Sequence, residues 1–66
     1  MNATVNGEKQ VLEEGITIAG LLDKLGLSQE ATVVQRNDDI VAREAYDTTA
    51  VQEGDVLELV RFVGGG

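Results

Sequence analysis

The group with the clearest capacity for chemistry is the carboxylate of Gly66, at the end of the run Val63-Gly64-Gly65-Gly66. Three consecutive glycines add no core and no cap, and fixing them costs more backbone entropy than fixing any other residue. Such a run suits a segment that another protein threads through a narrow channel. Extended, four residues reach about 13 Å. The carboxylate is ionised at neutral pH, with a reference pKa of about 3.5, and is a poor electrophile until activated. Gly64 and Gly65 are therefore the expected tail for insertion into a partner's active site, and Gly66 its reactive end. The plainer alternative is a disordered terminus with no role.

The other side chains offer little. The chain has neither cysteine nor histidine, which excludes disulfides, thiolate or imidazole metal ligands, and Cys or His catalysis. Ser28 is the single serine and has no histidine to activate it. Asp38-Asp39 lacks the ligand spacing of a calcium loop and reads as a solvated turn. No catalytic side chain, metal site or bound cofactor is expected.

Sixty-six residues allow one small core, and 42% hydrophobic content is ordinary for a folded chain. With only 3% aromatics, that core must be built from Val, Leu, Ile and Ala. The net charge of −7 argues against nucleic acid and anionic membrane as partners, and favours proteins that present basic faces. No basic segment precedes an apolar run, and no stretch approaches the roughly 20 residues of a membrane span. A cytoplasmic protein, monomeric when free, is expected.

The elements that must hold the tail follow from local signals. Residues 1–5 alternate in polarity and predict a half-buried strand. Asn6-Gly7 predicts a type I′ turn, because both central positions need positive φ. Such a turn pairs Val5 with Glu8 and Met1 with Leu12, turning Leu12 inward and Val11 outward unless a bulge intervenes. Thr17 is the expected N-cap of a helix carrying Ile18, Leu21, Leu22 and Leu25 as one apolar stripe, and Gly26 its left-handed terminator. Gly20 inside that helix suggests close packing on a sheet. Thr32 to Arg36 predicts a strand, Asn37-Asp38-Asp39 a polar turn, and Ile40-Val41 a short apolar pair. Arg43 to Asp47 predicts a helical turn with Tyr46 leaning on the core, and Glu53-Gly54-Asp55 a turn before the last strand, Val56 to Val63.

In that strand Leu57 and Leu59 point to one side, and Val56, Glu58, Val60 and Phe62 to the other. Glu58 marks the second side as solvent-facing. Val60 and Phe62 are thus expected as exposed apolar groups beside the tail, a docking patch for a partner. Burial on both faces is the alternative.

The order of these elements predicts an α+β fold, one main helix packed on one face of a mixed sheet of four to five strands. A folded domain over 1–63 and a flexible glycine tail over 64–66 are expected. The ordered set Val5-Asn6-Gly7-Glu8, Glu14-Gly15, Leu21-Leu22, Ile40-Val41 with Arg43, Glu53-Gly54-Asp55 and the glycine end covers the whole chain. It resembles the ubiquitin-like β-grasp family, and within it most closely the sulfur carriers of thiamine thiazole biosynthesis. Ala42 stands where that family often has proline, Tyr46 where it often has tryptophan, and Arg36 and Asp38 where Val and Gly are common. The last pair puts the local shape of the second turn in question. Three glycines rather than two leave open whether Gly66 or Gly65 is the working terminus.

The resemblance implies a carrier rather than an enzyme. A partner similar to ubiquitin-activating enzymes would adenylate the terminal carboxylate with Mg-ATP. A sulfur donor protein would then displace AMP to leave a thiocarboxylate, and thiazole synthase would receive the sulfur. Three other readings share the tail: the small sulfur-carrying subunit of molybdopterin synthase, a ubiquitin-like modifier that forms isopeptide bonds, and an interaction module with an inert tail.

Overall fold

The computed structural model describes residues 1–62. Val63 and Gly64 to Gly66, and with them the end of the predicted last strand and the predicted tail, lie outside the described residues.

The first hairpin forms as its turn dictates. Asn6 and Gly7 both take positive φ, 51° and 83°, joining β1 (Asn2–Val5) to β2 (Glu8–Val11). Val5 pairs with Glu8 and Asn2 with Val11, without interruption. The register continues beyond the strands, where the Leu12 N–H donates to the Met1 carbonyl at 2.8 Å. Leu12 is buried and Val11 is 76% exposed, so no bulge relieves the outward valine.

Helix α1 (Ile18–Lys24) starts at Thr17, whose hydroxyl accepts from the Gly20 N–H at 3.1 Å. It ends in a Schellman arrangement: Gly26 at φ 74°, its N–H on the Asp23 carbonyl, and the Leu27 N–H on the Leu22 carbonyl. Ile18, Leu21 and Leu22 are buried as the stripe predicts, with Ala19 beside them. Leu25 is a correction. It caps the helix and is 41% exposed, because the stripe runs past the last full turn before the chain peels away. Gly20 is a second correction. A Cβ there would meet Ile16 Cγ1 at 3.2 Å and Thr17 Oγ1 at 3.4 Å, so the close approach is to the cap itself and not to the sheet.

The second half supplies β3 (Thr32–Arg36), β4 (Asp39–Ile40), a 3-10 turn (Arg43–Ala45) and β5 (Val56–Arg61). The strands form one five-stranded sheet in the order β2-β1-β5-β3-β4. β5 lies at its centre, parallel to β1 and antiparallel to β3. The β3–β4 connection is again a two-residue turn, with Asn37 at φ 50° and Asp38 at φ 75°. Aspartate without a glycine neighbour thus adopts the left-handed conformation that both central positions of a type I′ turn require.

Helix and sheet share one core. Ile18, Leu21 and Leu22 belong to the same buried cluster as Ala3, Val5, Val34, Leu57 and Leu59. Tyr46 closes it from the end of the 3-10 turn, its hydroxyl donating to the Thr32 carbonyl at 2.8 Å. A tyrosine here therefore carries its polar atom to a backbone acceptor while its ring fills the core.

With so small a core, truncating Leu21 or Leu57 to Ala is expected to cost about 2–5 kcal/mol, most of the stability of such a domain. Thermal or urea unfolding of the two variants checks this; wild-type midpoints in both would show that neither side chain supports the core.

Candidate functional site

The strand that leads to the glycine run is the most heavily anchored element of the molecule. On one side the Asn6 N–H donates to the Leu57 carbonyl, and the Asn6 side-chain oxygen accepts from the Leu59 N–H at 2.7 Å. On the other side Asn37 does the same work at the start of the strand. Its N–H donates to the Val56 carbonyl at 2.8 Å, and its Oδ1 accepts from the Val56 N–H at 2.9 Å. Both asparagines occupy the first left-handed position of a type I′ turn, so each turn residue also extends the ladder of the central strand. At the far end of β5 the Phe62 N–H donates to the Ala31 carbonyl at 2.8 Å, holding the backbone in line up to residue 62.

The residue before the strand, Asp55, is buried and serves as a polar hub. Its Oδ2 accepts from Arg36 Nε at 2.8 Å and from the Gln52 N–H at 2.7 Å, and its Oδ1 from Asn37 Nδ2 at 3.0 Å. Burial pushes its carboxyl upward, but these bonds and the adjacent guanidinium outweigh that and hold it below its ordinary value of 3.8. Read from sequence, Asp55 is only part of a turn. Its partners Asn37 and Arg36 lie 18 and 19 residues earlier, a spacing that leaves no local signature.

The outer face of the sheet, opposite the helix, carries the exposed apolar groups of β5. Val60 is 55% and Phe62 61% exposed, while Leu57 and Leu59 face the core. Val60 pairs with Val33 and Glu58 with Gln35, and Gln35 in turn pairs with Ile40, which is 66% exposed. Val33 and Ile40 therefore stand on the same face as Val60 and Phe62. The sequence reading omitted both: it gave β3 no facing, and the two-residue β4 shows no alternation of its own; the register supplies each. Gly64, Gly65 and Gly66 lie outside the described residues. Among the described residues no group of three His, Cys, Asp or Glu side chains could hold a metal ion, and no helix is long and apolar enough to cross a membrane.

Sheet order, single helix and central last strand define a ubiquitin-like β-grasp domain. The chain belongs to the ThiS family, whose model matches residues 1–66. The sulfur carrier protein ThiS of Bacillus subtilis is 40% identical over 50 residues, covering 76% of each chain. Two longer proteins also match over 66 residues, the thiazole synthases of Paramagnetospirillum magneticum at 39% identity and of Magnetococcus marinus at 42%. The chain spans 20% of the length of each. The crystal structure of the thiamine biosynthesis protein ThiS from Geobacter metallireducens superposes with a TM-score of 0.83 at 39% identity, covering 100% of both chains.

The Asp55 hub has a pH consequence. A carboxyl whose folded pKa lies below its unfolded value stabilises the fold at neutral pH. That contribution is complete above about pH 3.8 and is lost as the pH falls through the folded value. Asp55→Asn is expected to lower stability at pH 7 by roughly 1–3 kcal/mol and to flatten the acid limb of the stability curve. Urea titrations of both proteins between neutral and strongly acidic pH measure this; parallel curves would remove Asp55 from the account.

Proposed function

We propose that this chain is a sulfur carrier of thiamine biosynthesis, working as a co-substrate of partner enzymes with no catalytic side chain of its own. The observation that carries the reading is the anchored β5, which ends beside exposed Val60 and Phe62 and continues in sequence into Val63-Gly64-Gly65-Gly66. Family membership and the similarity to a sulfur carrier and to thiazole synthases support it.

In this reading a ubiquitin-activating-like enzyme binds the domain through Val60 and Phe62 and draws Gly64 and Gly65 into its active site. In a chain ending at Gly66, the terminal carboxylate attacks the α-phosphorus of Mg-ATP and pyrophosphate leaves. A hydrosulfide equivalent from a donor protein then displaces AMP, leaving a thiocarboxylate. Thiazole synthase takes the sulfur and returns the carboxylate. The domain contributes reach and placement: glycine leaves the acyl carbon unhindered, and the absence of cysteine keeps any internal thiol from intercepting the adenylate. The intact mass of the chain, isolated from cells with the sulfur-transfer enzymes, should rise by the difference between one sulfur and one oxygen.

Deleting Gly65-Gly66, or extending the chain past Gly66, is expected to leave unfolding within about 0.5 kcal/mol of wild type. ATP–pyrophosphate exchange with the adenylating enzyme should be almost abolished. The shortened tail holds its carboxylate about 7 Å back, and misplacement by about 1 Å already costs two orders of magnitude in rate. Equal exchange by all three chains would move the chemistry away from the terminus and favour an interaction module with an inert tail.

Phe62→Asp should fold normally, because that side chain is exposed, yet bind the adenylating enzyme more weakly by about 2 kcal/mol, the scale of an anchor residue. Calorimetric titration measures the affinity; an unchanged value would discard Val60 and Phe62 as the docking patch.

A further inference from the structure

The turn that anchors β5 is also the most labile covalent link in the chain. Of the asparagines Asn2, Asn6 and Asn37, only Asn6 precedes a glycine. Gly7 has no Cβ to shield its backbone nitrogen. That nitrogen can attack the Asn6 Cγ; a C–N bond forms and the side-chain amide leaves as ammonia. The product is a five-membered succinimide, and water then opens it at one of two carbonyls. Opening at Cγ gives aspartate with an ordinary backbone. Opening at the main-chain carbonyl gives isoaspartate, in which the chain runs through Cβ and Cγ and the former backbone carbonyl is a free carboxylate. Each route consumes one water and releases one ammonia, with no oxidant, reductant or enzyme.

The fold opposes this chemistry through direction. Sheet order places β1 between β2 and β5. Gly7 leads the chain from β1 across to β2, on the side away from β5. The Asn6 carboxamide reaches the other way, its Oδ1 accepting from the Leu59 N–H at 2.7 Å. The Asn6 backbone N–H is turned to β5 as well, donating to the Leu57 carbonyl at 2.9 Å. Cγ is thus drawn toward β5 and away from the nitrogen that would attack it. The left-handed conformation of both residues, φ 51° and 83°, holds the turn in that state. Asn6 and Gly7 are exposed, so water has access once the ring forms. Closing the ring first requires the Leu59 bond to break.

Asn37 is an internal comparison. Its Oδ1 and Nδ2 are both engaged, with the Val56 N–H and with Asp55, and the residue that follows is an aspartate rather than a glycine. Asn2 is followed by alanine within β1.

The two products differ in their effect on the central strand. Aspartate keeps an oxygen at the place of Oδ1, and its charge strengthens the bond from Leu59. Isoaspartate adds one atom to the main chain within a two-residue turn that pairs Val5 directly with Glu8, and it moves the acceptor away from Leu59.

We infer that Asn6-Gly7 is a site of spontaneous covalent modification, kept intact by the Asn6–Leu59 hydrogen bond, and that its isoaspartyl product releases the β1 side of β5. Neither step involves the terminus or a partner protein.

The test incubates the full chain at mildly alkaline pH, in native buffer and in urea above its unfolding midpoint. Isoaspartate is counted by enzymatic methylation of its free carboxylate and located by peptide mapping. In urea, product should appear at Asn6 before Asn2 or Asn37. In native buffer the rate at Asn6 should be at least about tenfold lower, because reaction then waits on rare opening of the hairpin. The isoaspartyl form, separated by chromatography, should lose hydrogen-exchange protection of the Leu59 amide by at least about tenfold. Asn6→Asp should keep that protection within about threefold of wild type, since a carboxylate oxygen still accepts there. Equal rates in the folded and unfolded chains would overturn the inference. So would absence of product at Asn6 in urea, earlier product at Asn2 or Asn37, or wild-type protection of Leu59 in the isoaspartyl form. Loss of that protection in Asn6→Asp would also overturn it, because Oδ1 would then not be the group that matters.

Discussion

The parallel pairing of β1 with β5 is the constraint on which the rest of the structure depends. Two strands parallel to one another cannot be joined by a tight turn, so every other element must fit into the connection between them. The pairing brings the first and last described strands side by side and closes a loop of about fifty residues, at an entropic cost that grows only slowly with length. Helix α1 offsets it by covering the inner face of that pair with Ile18, Leu21 and Leu22. β3 then completes the other flank of β5, so the strand that leads to the tail has no free edge.

Side chains reinforce this arrangement where backbone bonding alone would fray. Asn6 and Asn37 each tolerate the left-handed conformation of a hairpin turn and use the freed amide to grip β5. Asp55 ties the start of the strand to β3 through Arg36 and Asn37. A buried carboxylate is costly without partners, and here each oxygen has at least one donor. Thr32 Oγ1, by contrast, is buried without a partner, although the Thr32 carbonyl receives the Tyr46 hydroxyl. The polar interior is otherwise sparing, and its bonds converge on the central strand.

For a carrier, this economy has a clear physical sense. The tail chemistry proposed above would need a strand that does not yield when a partner draws the chain into extension, and a surface beside it that a partner can read. The outer face offers Val60, Phe62 and the neighbouring Val33 and Ile40. Two thiazole synthases contain a segment similar to this whole chain, which spans 20% of the length of each.

Much of this was legible in the residues. Asn6-Gly7, Thr17, Gly26 and the spacing of Ile18, Leu21 and Leu22 are local signals whose physics is complete within a few residues, and the structure realises each of them. The alternation of β5 likewise separated Leu57 and Leu59 from Val60 and Phe62. Where a reading needed to know what lay opposite, it fell short. Leu25 fits the stripe but stands beyond the sheet's cover. Gly20 makes room for the helix's own cap. Ile40 joins the open face only through its pairing with Gln35. Asp55, Arg36 and Asn37 become one cluster only when strands distant in sequence are laid side by side. Local conformation was thus determined by the sequence, because turn geometry and capping are properties of adjacent residues. The anchoring of β5 and the two faces that flank its end were decided by tertiary structure, because strand order sets which distant side chains share a face and which hydrogen bonds they can reach.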